Sequence, residues 1–205
     1  VVRAIGEAGL VADLIVWSNH AHLPDVPLAQ DERFLREVLA RYAAFPHVIW
    51  CLTNEWDDPK LIDLTPASYW HHFGSIARAE DPWAIETGRQ RLLSNHPRGT
   101  PFDRMTGAAW RSHVIVQFRL GLPPDLRAHH AIQRAWPEGL PVVNDEFGYM
   151  GAPEWNPPSR LTHRQAMWAT YLAGGYASTG DKYPRGADSA AAYLNGRWHE
   201  LTDYE

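Results

Sequence analysis

Apolar positions in this chain follow two periods in turn. Val48 to Leu52, Val-Ile-Trp-Cys-Leu, is a continuous run rich in β-branched and aromatic residues, the pattern of a parallel strand covered on both faces, and it turns polar abruptly at Thr53-Asn54-Glu55. Leu140 to Gly148, Leu-Pro-Val-Val-Asn-Asp-Glu-Phe-Gly, repeats the design, with Glu146 as the counterpart of Glu55. Val11 to Trp17 predicts a further strand, leading into Ser18, Asn19, His20 and His22. Arg91 to Ser94, Val114 to Gln117 and Tyr176 to Thr179 predict three more, the last finishing in Gly180-Asp181-Lys182.

Between these runs the period lengthens to that of a helix. Val1 to Ala8 predicts a helix closed by Gly9 in the left-handed region. Asp31 to Phe45 carries Phe34, Leu35, Val38, Leu39 and Tyr42 on one face, with acids in the first turn and Pro46 as the stop. Thr65 and Pro66 predict the N-cap and first residue of a helix that turns Trp70, Phe73 and Ile76 inward and ends before Pro82. Asp125 to Trp136 and Arg160 to Ala173, the latter ended by Gly174-Gly175, complete the set. A Gly- and Pro-rich loop runs from Asn95-His96-Pro97 to about Ala109, and the pattern is lost after Lys182.

Strand and helix in alternation mean parallel strands with right-handed crossovers, so the fold class is α/β. An open doubly wound sheet concentrates its site at one switch point, whereas here several strands end in polar clusters, the habit of a (β/α)8 barrel. No Gly-rich phosphate fingerprint follows the first strand, which weakens a dinucleotide fold further.

Composition narrows the choice of partners. The chain has 205 residues, 45% hydrophobic, enough for a sizeable core and better suited to one domain than two. Its 19 Lys and Arg against 24 Asp and Glu give a net charge of -5 without a basic run, so there is no electrostatic case for nucleic acid. No apolar run approaches a membrane span. The single Cys51 lies in an apolar strand and reads as a small buried hydrophobe. Ten Trp supply core, and also flat apolar faces of the kind that stack on flat ligand faces.

Two carboxylates projecting into one cleft repel each other, so one tends to hold its proton while the other stays ionised, an acid paired with a nucleophile or base. At about 5 to 5.5 Å apart such a pair performs retaining glycoside hydrolysis, and at about 6.5 to 9.5 Å the inverting reaction. A single carboxylate after a strand is more often a cap or an ion-pair partner. Two, each following Asn or Asp at a buried strand end, favour function.

Trp50-Cys51-Leu52-Thr53-Asn54-Glu55-Trp56 resembles the Asn-Glu signature at the end of strand four in the clan-A retaining glycoside hydrolases, which have (β/α)8 barrels. Pro141-Val142-Val143-Asn144-Asp145-Glu146-Phe147-Gly148-Tyr149 resembles their strand-seven nucleophile segment. Two strands lie between and one follows, as strands five, six and eight should. The Asn-Asp-Glu-Phe-Gly segment and Ala173-Gly174-Gly175-Tyr176 are similar to the apiosidase-like branch of glycosidases. The resemblance implies Glu55 as acid/base, Glu146 as nucleophile and Asn54 as the amide that binds the sugar 2-hydroxyl. It implies substrate contacts from Asn19, His20, His96, Gln117 and Asp181, a carbohydrate substrate, and no cofactor or metal. Gln117 departs from the Tyr that many clan members place on strand six. His71, His72, His129 and His130 fall mid-helix and read as surface or packing residues.

Two other readings stand beside this one. His20-Ala21-His22, His96 and Asp181 resemble part of an amidohydrolase metal set, with Gln117 where a further His is wanted. A catalytically inactive carbohydrate-binding barrel would need one of the two carboxylates missing. A complete barrel has about 250 residues and eight strands, so residues 1–205 are expected to be a partial (β/α)8 domain holding strands three to eight, with strands one and two missing and open edges that favour association.

Overall fold

The computed structural model describes residues 1–18, 26–59, 62–98, 105, 107–117, 127–145, 149–150, 160–178 and 180–181; for 127, 149–150, 160–163 and 180–181 this is the backbone alone. The chain divides into two compact units, Val1–Arg98 with Asp103–Ile115, and Gly99–Phe102 with Val116–Glu205.

The first unit is built on a parallel sheet of β1 (Ala12–Ser18), β2 (Val48–Asn54) and β3 (Leu93–Ser94), with β2 in the middle. The register sets Ala12 beside Val48 and Ser18 beside Asn54. On the other side Trp50 and Cys51 pair with Leu93 and Ser94. Val48, Trp50, Cys51 and Leu52 are all buried, as a strand covered on both faces requires. Helices α2 (Leu28–Tyr42) and α3 (Ala67–Glu80) lie between the strands, and the short α1 (Val2–Glu7) precedes β1. Leu35 and Leu39 of α2 and Trp70 and Phe73 of α3 meet Trp17, Trp50, Leu52 and Leu93 in one core. Along α2 and α3 the buried residues recur at helical spacing, which is why these stretches coil.

Local corrections to the sequence reading have physical causes. Helix α2 starts at Leu28 rather than Asp31, and Asp31 is buried, accepting a 2.5 Å hydrogen bond from the Tyr69 hydroxyl. Pro66 is the N-cap of α3 rather than its first residue, because its backbone is extended, with ψ at 167°. A short helix α4 (Pro82–Thr87), not expected from the sequence, follows α3 directly. Its signals were present: Asp81 caps the Trp83 N–H, Pro82 opens the helix and Gly88 closes it at φ 67°. Gly74 of α3 lies against the Trp110 ring, which would stand 2.2 Å from an added Cβ.

Beneath the sheet sits a buried cation. Arg91 donates to the carbonyls of Ala43 (2.8 Å), Phe45 (2.6 Å) and Val48 (3.1 Å). Its Nε lies 3.1 Å from Asp81 Oδ2, both side chains being 3% exposed. The guanidinium also lies over the rings of Trp50 and Trp83. Asp81 in turn accepts from the Trp50 indole N–H and caps α4.

The second unit carries the sheet order β4 (Val114–Val116), β5 (Val142–Asn144), β7 (Tyr176–Ala177), where the boundary between units falls within β4. β5 and β7 run parallel, with Asn144 beside Ala177. A second parallel pair joins β6 (Tyr149–Met150) to β8 (Gly180–Asp181), so the single last strand expected over Tyr176 to Thr179 is two short ones. Between β4 and β5 runs α5 (Arg127–Ala135), and α6 (Arg160–Leu172) precedes β7. Small residues let these helices close up: Ala128, Ala131 and Ala166 form their own buried cluster. Trp136, expected as the last residue of α5, opens a 3-10 turn ended by Gly139 at φ 69°, and its indole N–H bonds the Ala173 carbonyl.

The chain is thus an α/β fold with parallel strands. Among the described residues the strands form two three-stranded sheets and one two-stranded pair rather than a single closed barrel. No helix among them is long and apolar enough to cross a membrane.

Candidate active site

The carboxyl end of β2 is held by a dense set of hydrogen bonds. Thr53 N–H donates to Asn95 Oδ1 at 2.8 Å, and the Thr53 hydroxyl donates to the Trp17 carbonyl at 3.1 Å. The chain then crosses to the segment after β3: His96 N–H donates to the Thr53 carbonyl and Trp56 N–H to the His96 carbonyl. These bonds lock the exits of β1, β2 and β3 together although their residues are far apart in sequence. Trp56, 2% exposed, anchors the turn from inside.

Glu55 stands at the apex of this turn. Its φ of 51° makes it the one non-glycine residue with positive φ among the described residues. Holding a side-chain-bearing residue there costs about 1 to 3 kcal/mol, and such outliers cluster at functional sites because the surroundings over-determine them. Here the over-determination is visible: Asp58 N–H closes the turn onto the Glu55 carbonyl at 3.0 Å, while Trp56 and His96 fix the next peptide. The Glu55 side chain is 12% exposed, low for a carboxylate.

Charge around Glu55 is supplied by neighbours that sequence reasoning did not single out. Asp57 and Asp58 are buried at 4% and 5% exposure. Arg98, from the segment after β3, donates its backbone N–H to Asp57 Oδ1 and its Nη1 to Asp58 Oδ2, each at 2.5 Å. Arg98 Nε lies 3.7 Å from Glu55 Oε2. Three carboxylates and one guanidinium therefore meet at one strand end. The signal was there, in Asp-Asp directly after Glu55-Trp56 and Arg after Asn-His-Pro at the next strand end, but it needs the pairing of β2 with β3 to be read.

Of the residues singled out from the sequence, Asn54, Glu55 and His96 are brought together in the first unit, Asn54 as the last residue of β2 and His96 as a buried residue, 4% exposed, just past β3. In the second unit Gln117 directly follows β4 and is 0% exposed. Asp145 N–H donates to the Val116 carbonyl and Ser178 N–H to the Asn144 carbonyl, so the ends of β4, β5 and β7 are stitched together in the same way. Asn144 is fully buried and donates to the Thr170 hydroxyl. Asp181 pairs with Met150 in β8, described by its backbone alone. Asn19, His20, His22 and Glu146 lie outside the described residues. His71 accepts from the Trp110 indole N–H, His72 pairs with Glu32, and His129 Nδ1 lies against the Ala169 carbonyl, the packing and surface roles expected of mid-helix histidines. Cys51 is buried, its Sγ donating to the Thr53 carbonyl at 3.4 Å.

No protein-family model matches the chain, nor does any curated protein at a significant level. Solved structures do match. A candidate glycoside hydrolase from Bacteroides vulgatus ATCC 8482 superposes with a TM-score of 0.71 at 22% identity, over 91% of this chain and 35% of its own. A glycoside hydrolase family 5 protein from the same organism gives 0.66 at 16% identity, over 94% of this chain and 46% of its own. A third protein, named glycoside hydrolase, gives 0.65 at 16% identity over 88% and 43%. At these identities the likeness is one of fold. The chain spans 35% to 46% of the length of these three neighbours.

Proposed function

We propose that residues 1–205 form part of a (β/α)8 glycoside hydrolase domain that cleaves O-glycosidic bonds with retention of configuration. The observation that carries this reading is Glu55, a carboxylic acid held in left-handed backbone at the carboxyl end of a central parallel strand, beside the strand's terminal amide Asn54. Solved structures named as glycoside hydrolases share the fold, which agrees with a carbohydrate substrate.

In this reading the Glu146 carboxylate attacks the anomeric carbon while the bond to the leaving oxygen breaks, and that oxygen takes the proton of Glu55. Water then attacks the same carbon, giving its proton back to Glu55 as the bond to Glu146 breaks. Asn54 holds the sugar 2-hydroxyl, whose hydrogen bond strengthens in the transition state. Asn19, His20, His96, Gln117 and Asp181 are further strand-end contacts to the sugar. The two carboxylates must stand about 5 to 5.5 Å apart for retention.

Azide separates the two roles. With activated aryl glycosides, Glu146→Ala plus azide is expected to release a glycosyl azide of inverted configuration, and Glu55→Ala plus azide one of retained configuration. Loss of the general acid costs about 10²- to 10⁴-fold on unactivated glycosides. If both variants hydrolyse a confirmed substrate at the wild-type rate, the assignment fails.

A further inference from the structure

A general acid/base has two requirements that conflict. Its carboxyl must be held in one place, yet no partner can bind one protonation state so tightly that the proton ceases to move. A guanidinium forked directly onto Glu55 would meet the first and defeat the second, since bidentate pairs hold a carboxylate ionised. The contact that Arg98 makes meets both. Arg98 is pinned at two points, its backbone N–H on Asp57 and its Nη1 on Asp58. Its remaining Nε edge is left 3.7 Å from Glu55 Oε2, within reach of an ion pair and beyond that of a hydrogen bond. Asp57 and Asp58 lie in the turn that Glu55 opens, and the turn is closed by Asp58 N–H on the Glu55 carbonyl. Backbone and side chain of Glu55 are thus both referred to Asp58, the one by its N–H and the other through Arg98.

We infer that Arg98, anchored by Asp57 and Asp58, is a positioning residue that fixes the Glu55 carboxylate from a stand-off distance rather than through a hydrogen bond of its own. The inference rests on the reading of Glu55 as acid/base. Asp58 takes the closest contact of the guanidinium and so keeps it from collapsing onto Glu55. Only a planar, forked cation can face Asp58 with one N–H and Glu55 with another, so lysine is a poor substitute. Arg98 is 43% exposed at its side chain, so its replacement does not empty the core.

The test uses the full chain with Arg98→Met, Arg98→Lys and Glu55→Gln. Aryl glycosides of decreasing leaving-group ability are the kinetic probe. Glu55→Gln is expected to lose kcat/KM steeply as the leaving group worsens and little with dinitrophenyl glycosides. Arg98→Met is expected to show the same dependence at smaller depth, about 10²-fold on the poorest leaving group, the loss that an ångström of misplacement brings. Arg98→Lys should fall between it and wild type. An Arg98→Met loss equal for all leaving groups overturns the positioning role and leaves the Glu55 reading intact. A Glu55→Gln variant without leaving-group dependence overturns the reading itself. A crystal structure of Arg98→Met supplies an arm that needs no substrate: a Glu55 carboxylate displaced within an unchanged fold supports the inference, and one that keeps its place overturns it.

Discussion

Replacing Arg91 by Met removes the cation on which several buried acceptors converge. Arg91 is 6% exposed and takes the carbonyls of Ala43, Phe45 and Val48, which run from the C-cap of α2 to the first residue of β2. Met matches the apolar stem and fills much of the volume, so the loss is electrostatic rather than a cavity. Burial pushes the guanidinium below its usual pKa, and the neighbouring Asp81 charge offsets part of that. Without Arg91, Asp81 keeps the Trp50 and Trp83 N–H bonds but loses its counter-ion in a site where its side chain is 3% exposed. Stranding one partner of a buried pair costs about 3 to 5 kcal/mol. Each carbonyl left without a donor adds about 1 to 3 kcal/mol unless water enters, and since these costs overlap, about 4 kcal/mol is the expected total. That is a large share of the roughly 5 to 15 kcal/mol that holds a domain folded. Equilibrium urea unfolding measures it, as a fall in midpoint at unchanged slope. Asp81→Asn, which keeps an oxygen for one of these two N–H groups and leaves Arg91 its three carbonyls, should cost less than Arg91→Met. A loss below about 1 kcal/mol for Arg91→Met, the range of exposed ion pairs, would refute the argument.

Two further outcomes test packing and proton linkage. Gly74→Ala should destabilise by about 1 to 3 kcal/mol in thermal unfolding, because the Trp110 ring would stand 2.2 Å from the new Cβ and overpacking outweighs the gain in helix propensity. The Tyr69 hydroxyl is pushed above its usual pKa by burial first and by its bond to Asp31 second. The folded state therefore holds the Tyr69 proton after the unfolded state has lost it, so stability is complete below pH about 10 and falls as pH rises beyond it. Tyr69→Phe should cost about 1.5 to 3 kcal/mol at pH 7, the worth of a hydrogen bond to a carboxylate, and should flatten that alkaline decline. A decline of equal steepness in the variant would assign it elsewhere.

Strand β2 was legible because a strand buried on both faces leaves a continuous apolar run, β1 from the run Leu14 to Trp17 although Ile15 is exposed, and helices α2 and α3 because Leu35, Leu39, Trp70 and Phe73 recur at helical spacing. Boundaries were less so: Pro66 fits an N-cap as well as a first turn, and only its extended backbone decides. Helix α4 was overlooked although Asp81-Pro82 and Gly88 bracket it, because Pro82 was read as a stop rather than a start. Arg91 opens a stretch that reads as a strand, and nothing local says that its charge is buried; the carbonyls it binds lie 43 to 48 residues earlier. The same holds for Arg98, whose aspartates lie 40 and 41 residues before it. Glu55 was found from its place after an apolar run, but its left-handed backbone has no signature in a side chain of that kind.

That backbone places residue 55 under two opposed selections. Judged by conformation alone, glycine is the residue that φ of 51° favours, and asparagine the next. Judged by proton transfer, neither serves. On the proposed role of Glu55 as acid/base, drift toward fold stability and drift toward activity pull this codon in different directions. In any set of descendants that had lost the activity, position 55 is where the backbone's own preference would surface first.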